Sequence, residues 1–238
     1  MLPLKRKKPS ETILEKRKEF ISNICMDALE IKGKGEVGLE NGNNKTGSTG
    51  GVFDIVYVWN MPAIITCPGA SQVCKSYCYN ASYASNGMAI NNYILYKKDI
   101  KKLEQVIVKQ LDAVNNNNNN IGLRWHSSGD FFSVEYIQMW NRIVRSFSNV
   151  CFWGYTRSWC IDELRKELNI LENNVNVNLY YSWDISMKKI KDNHKISVVD
   201  INLDRSVKCP EQYGLVCSCA DCGICFYNKK ESIYFEIH

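Results

Sequence analysis

Cysteine is the residue whose type and spacing carry chemistry in this chain. Residues 66–82 read TCPGASQVCKSYCYNAS and place Cys67, Cys74 and Cys78 in one short stretch. Residues 208–226 read KCPEQYGLVCSCADCGICF and hold Cys209, Cys217, Cys219, Cys222 and Cys225. Eight of the eleven cysteines therefore fall in two clusters, and an odd total does not suit a disulfide framework. Clustered thiols in a reducing compartment point to metal binding or catalysis. Three thiolates are one short of a closed zinc site, unless His126 supplied the fourth ligand. They suit a [4Fe–4S] cluster with one iron left open, because thiolates are soft, anionic donors. Gly69 allows a tight loop and close backbone approach, and Tyr77 stands beside the last thiol.

The second cluster contains C-x2-C-x2-C at Cys219, Cys222 and Cys225, with Cys209 or Cys217 available as a fourth ligand. Four thiolates there fit an auxiliary [4Fe–4S] cluster or structural zinc. A third arrangement has both cysteine groups share one metal across the fold.

These side chains need a scaffold. Apolar, β-branched runs (VFDIVYVWN with AIIT, IGLRW, NVCFWGYTRS, NVNLYYSWD, KISVVDIN) read as strands. Between them lie helical patterns at residues 88–114, SVEYIQMWNRIVRSF with Ser133 as its cap, CIDELRKELNIL, and the short ISMKKIKD. Strands alternating with helices argue an α/β fold with a parallel sheet. The expected architecture is a full or partial (β/α) barrel with a cysteine-rich C-terminal metal segment; a doubly wound sheet is the alternative. In either case ligands gather at the C-terminal ends of the strands. Those ends carry His126, Ser127, Ser128, Gly129 and Asp130, then Tyr155, Thr156, Arg157 and Ser158, then Ser182, Trp183 and Asp184, then Asp200 and Asn202. The loop of Cys67 also follows a strand and should join the same rim. His126, Asp130 and Arg157 are the candidate catalytic groups, with His126 and Arg157 facing substrate. The tryptophans near strands read as core. Cys151, mid-strand, reads as a small hydrophobe. Cys160 sits at a helix start with no local partner.

The blocks TCPGASQVCKSYCY, RWHSSGDFFSVEYIQMW, FWGYTRSW and CADCGICF together resemble the gene-product-88 family of phage and plasmid proteins, over about residues 43–226. That resemblance implies a phage or mobile-element origin and names no reaction. More distantly, the cysteine loop is similar to that of radical S-adenosylmethionine (SAM) enzymes, whose spacing is C-x3-C-x2-C where this chain has C-x6-C-x3-C. What this second likeness implies is a divergent radical SAM protein, in which Ser128, Gly129 and Asp130 help bind SAM.

Composition sets the outer limits. The 238 residues suffice for one substantial core, and no run of about 18 apolar residues suggests a membrane span. No apolar segment follows the basic start, so a cytoplasmic protein is expected. Net charge is a modest +5, of which +3 (nine Lys/Arg, six Asp/Glu) lies in residues 1–36. Lys5, Arg6, Lys7 and Lys8 could touch nucleic-acid phosphates, giving a second reading as a zinc-stabilised nucleic-acid- or protein-binding module. The organisation expected is a basic helical segment over 1–40, an α/β core over 41–205, and a cysteine-rich segment over 206–238. NNKTG is no phosphate loop, since Asn44 precedes the lysine and a strand, not a helix, follows.

Overall fold

The structure is a computed structural model describing residues 36–76, 78, 87–115, 120–188, 190, 194–199, 206–228 and 230–236. The helix expected over 10–31, the basic Lys5–Lys8 group, Tyr77, Asp200 and Asn202 lie outside the described residues.

Eight strands form one sheet: β1 (Glu40–Asn41), β2 (Ile55–Trp59), β3 (Ile121–Trp125), β4 (Val150–Thr156), β5 (Val177–Trp183), β6 (Ile196–Val199), β7 (Ser206–Lys208) and β8 (Ser232–Phe235). Their spatial order is β1-β2-β3-β4-β5-β6-β8-β7. Every pairing is parallel except β1 with β2. All five residues of β3 are buried, as in a parallel strand covered on both faces.

The helices are α1 (Gln72–Ser76), α2 (Gly87–Lys98), α3 (Ile100–Asn115), α4 (Val134–Ser146), α5 (Asp162–Glu172), α6 (Cys219–Cys222) and α7 (Ile224–Tyr227). From β2 to β5 the order steps one way. Crossovers of the usual right hand then lay successive helices on one face. Leu103, Ile107 and Leu111 of α3, spaced by four, share one core with Ile137 and Trp140 of α4 and Leu164 and Leu168 of α5. The longer helices α3, α4 and α5 thus share one face, while the short α6 and α7 lie on the other. No pairing among the described residues joins β1 to β7, so the expected full closure is absent there.

The opposite face carries a second core of Phe53, Val56, Trp153, Tyr180, Cys225, Phe226 and Ile233. Strand alternation explains the split. Phe152 and Leu179 point to the helices, while Trp153 and Tyr180 point away. The cysteine-rich segment beyond residue 206 is not set apart from the sheet: it adds β7 and β8, and α7 packs on β4 and β5.

Three local expectations change. The single helix expected over 88–114 is two, because the Asp99 carboxylate accepts the Lys102 N–H (2.9 Å) and starts a new helix. AIIT is a turn rather than strand: Thr66 N–H and Oγ1 both reach the Pro62 carbonyl, and Ile64 has φ 73°. Residues 185–187 of the expected ISMKKIKD helix form a turn, since the Asp184 carboxylate takes the Ser186 N–H and hydroxyl. Ser133 does cap α4, its hydroxyl accepting the Tyr136 N–H.

Candidate functional site

The C-terminal ends of β2 to β5 and the loops after them meet at one rim. The loop after β2 is pressed onto the turn after β4: a Cβ on Gly69 would lie 2.3 Å from the Arg157 carbonyl oxygen. Cys67, Cys74 and Cys78, each partly exposed, come close enough that Cys67 feels both others electrostatically. Cys74 Sγ is hydrogen-bonded by Arg157. Arg157 Nη1 in turn pairs with Asp184 Oδ2 at 2.7 Å, and Ser71 Oγ donates to the same oxygen. Ser71 also caps α1 by accepting the Cys74 N–H (3.0 Å), so one serine ties the cysteine helix to the ion pair.

Burial pushes the Cys67 thiol well up, with the Asp130 carboxylate adding to the rise. Burial also raises Cys74, but the Arg157 cation opposes it. A thiolate is therefore better supported at Cys74. Burial would raise Asp184 as well; the hydrogen bonds from Ser186 and Ser71 and the Arg157 charge outweigh it, so this carboxyl stays below its usual range.

Asp130 is 5% exposed, and burial pushes its carboxyl up to about 6. Its Oδ1 accepts the Thr156 hydroxyl (2.6 Å) and the Phe131 N–H (2.7 Å), and its Oδ2 accepts the Arg157 N–H (2.8 Å). It latches the loop after β3 to the end of β4. Gly129, at φ 83°, packs so closely that a Cβ would meet Thr66 Oγ1 at 2.6 Å. The Ser128 N–H is taken by Asn60 Oδ1. Ser128 and Asp130 are both buried, and both Asp130 oxygens accept hydrogen bonds from within the protein.

His126 does not join the cysteine rim. It is buried behind the strand end, edge-on to Phe131 (4.7 Å between centroids), with Nε2 2.9 Å from the Tyr136 hydroxyl on α4. Burial lowers its pKa to about 3, leaving the ring neutral. The expectation that His126 faces substrate is corrected by this placement: the φ of 54° at His126 turns the chain so that the ring enters the helix-side core.

Pattern reading gave Cys160 no partner, yet folding supplies one. Its Sγ lies 3.8 Å from the Gly69 carbonyl, and both Asp130 and Arg157 act on it. The one signal in the sequence was its position three residues beyond Arg157.

The second cysteine group lies elsewhere, on the face away from the helices. Cys209, Cys219, Cys222 and Cys225 line one cavity with Phe53 and Trp153. Cys217 is exposed and does not line it. Burial raises Cys225 to about 12, opposed by the Tyr155 hydroxyl bonded to it. Burial likewise raises Cys219, opposed by Arg124 and Lys45. The partners of this group are Arg124, Lys45, Glu211 and Tyr155, whereas those of the first are Asp130, Arg157 and Asp184. Two separate groups are seen, not one shared site. Among the described residues, no group of three or more Cys, His, Asp or Glu side chains is arranged so that it could hold a metal ion.

A family profile described as Gene product 88 matches residues 34–228. The chain belongs to the gene product 88 family. The family match spans both cysteine groups, Asp130, Arg157 and Asp184. The chain is similar to the Gene 88 protein of Mycobacterium phage D29, with 23% identity over 199 residues, covering 71% of this chain and 81% of that protein. It is similar also to the Gene 88 protein of Mycobacterium phage L5, with 22% identity over 198 residues and the same coverage. No solved structure matches. The resemblance to the gene product 88 family is thus shown; the more distant one to radical SAM enzymes receives no support from these relatives. Among the described residues no helix is long and apolar enough to cross a membrane.

Proposed function

We propose that the chain is an iron–sulfur enzyme working at the C-terminal rim of a partial (β/α) barrel. Cys67, Cys74 and Cys78 would hold a [4Fe–4S] cluster with one open iron. One observation supports this reading: the loop after β2 carries three thiols that act on one another electrostatically, and it lies against the Arg157–Asp184 pair of the next loops. The donor chemistry suits the group, since the loop offers three soft thiols and one of them has a cationic partner, although the sulfurs would have to draw closer to hold it. When bound, an open iron supplies a Lewis-acidic, one-electron centre. The chain's own residues do the rest. Arg157 favours the thiolate of Cys74, Asp184 and Ser71 fix Arg157, and Asp130 locks the rim so that these distances hold.

SAM does not enter this reading. Gly129 has no space for a ligand on its Cβ side, and Asp130 already accepts three hydrogen bonds. The zinc-stabilised binding module rests on the basic segment of residues 5–8, and no described contact adds to it.

The test is anaerobic purification, then iron and acid-labile sulfide counted per chain with a visible absorbance spectrum. Brown protein with iron and sulfide is expected, and both should fall in Cys67→Ala, Cys74→Ala and Cys78→Ala. Full iron retained in all three variants, or colourless protein after attempted reconstitution, overturns the reading.

A further inference from the structure

The face away from α3, α4 and α5 carries a second thiol group that the rim chemistry does not use. We infer that Cys209, Cys219, Cys222 and Cys225 form a closed site for one tetrahedral metal ion of the zinc type, with Cys217 outside it. The fold places these four side chains from three directions. Cys209 follows β7 and is pinned to β8 by its N–H bond to the Tyr234 carbonyl (3.0 Å). Cys219 and Cys222 bracket α6, whose start is tied down by the Cys219 N–H to the Lys45 carbonyl and the Ala220 N–H to the Thr46 carbonyl. Cys225 sits in α7, and Asn178 Nδ2 from β5 holds its carbonyl (2.8 Å).

Between Cys222 and Cys225 the chain must reverse sharply. Gly223 does this at φ 62°, where a side chain would also strike Val52 at 2.6 Å. The Cys222 sulfur takes a backbone hydrogen bond at Ile224, an orientation that suits a thiolate ligand. To hold an ion, the four sulfurs would have to converge to about 2.3 Å from it.

Size decides the kind of metal. The cavity that the four thiols line together with Phe53, Trp153 and Phe226 has ≈ 10 Å³ of room, about that of one water-sized sphere. One Zn²⁺ fits it, and a [4Fe–4S] cube does not. Charge agrees with this. One divalent ion and four thiolates make a doubly anionic centre. Two cations stand beside it: Arg124, 7% exposed with its guanidinium over the Tyr155 ring (5.6 Å), and Lys45. Glu211 also lines the cavity, but its carboxylate is held by Lys45 Nζ at 3.1 Å. The ion would staple α6 and α7 to the edge strands β7 and β8, closing the second core.

The test uses the full chain carrying Cys67→Ala, Cys74→Ala and Cys78→Ala, so that the rim group contributes nothing. Zinc per chain is counted by plasma mass spectrometry. One zinc is expected. Cys209→Ser and Cys225→Ser should each lower its retention by more than about tenfold, while Cys217→Ser keeps it. A serine variant that fails to fold would lose zinc for the wrong reason, so a second measurement uses the unaltered four cysteines. In zinc-loaded protein, Cys209, Cys219, Cys222 and Cys225 should resist alkylation by iodoacetamide while Cys217 reacts, and a chelator should expose all four. Zinc lost from Cys217→Ser overturns the inference. So does iron with sulfide at these cysteines, or alkylation of the four at one rate with and without zinc. The rim reading can fail while this one stands, because its cysteines are absent from the protein tested.

Discussion

Gly69→Ala tests whether the cysteine loop rests on the end of β4 as described. The added Cβ would lie 2.3 Å from the Arg157 carbonyl oxygen, 2.6 Å from its carbon and 2.9 Å from the Ser158 nitrogen. Ordinary contact begins at 3.4 Å, so the closest approach is about 1 Å short. All three obstacles are backbone, so no side chain can swing aside. The loop and the turn must part, which overpacking data put at ~1–3 kcal/mol. For a chain of this size that is a fall in Tm of about 2–12 °C, at roughly 2–4 °C per kcal/mol. The same movement lifts Cys67 and Cys74 away from Asp130 and Arg157, so metal at the rim should fall together with stability. Gly51→Ala is the control: nothing lies within 4 Å of the point its Cβ would occupy, and its Tm should stay within about 1–2 °C of wild type. Thermal denaturation of both variants, with iron counted on the same samples, makes the comparison. A Gly69→Ala protein as stable and as metal-replete as the Gly51→Ala control would refute the packing argument and the loop position with it.

Two further outcomes follow from the rim. Arg157→Ala leaves Asp184 buried without its 2.7 Å partner and should cost ~3–5 kcal/mol in urea denaturation; adding Asp184→Asn should recover part of that, giving a coupling that independent sites would not show. Asp130 makes stability fall as pH rises. Its folded pKa of about 6 lies above the ordinary aspartate value of 3.8, so the native state holds its proton more tightly. Stability from this group is full below pH 3.8 and is lost as pH passes 6, a change of about 3 kcal/mol. Asp130→Asn, unable to ionise, should lack that slope. Urea titrations of metal-free protein between pH 4 and pH 8 read it directly, and parallel curves for the two proteins would disprove the assignment.

The strands were legible because parallel strands buried on both faces must be written as continuous β-branched and aromatic runs. The helices α4 and α5 were legible through their apolar spacing and, for α4, its serine cap. From the strand ends it followed that the loop of Cys67, Asp130 and Arg157 would share a rim. Local competition was not legible: at Asp99 and Asp184 a carboxylate captures nearby backbone N–H groups and ends or prevents a helix that the apolar pattern favours. Nor could spacing choose between Cys209 and Cys217 as companion to Cys219, Cys222 and Cys225. That choice is made by the pairing of β7 with β8, a long-range contact, which turns Cys209 into the cavity and leaves Cys217 on the surface. His126 failed for a similar reason. Its sequence position is a strand end, but a single positive φ sends the ring inward to Tyr136.

The placement of β8 between β6 and β7 bears on how this chain is made. Chains leave the ribosome N-terminal end first, and β2 to β4 have all their sheet neighbours by residue 183. The face away from α3, α4 and α5 does not. Strand β7 emerges before β8 yet touches the sheet only through it, so residues 206–208 have no sheet neighbour until residues 232–235 have been synthesised. Through that interval Phe53, Trp153 and Tyr180 stay open to water and the thiols of the later segment stand unsheltered. Nascent chains stalled between residues 210 and 230 should therefore be the stage most exposed to chaperones, oxidants and aggregation, and release of the last strand should end it.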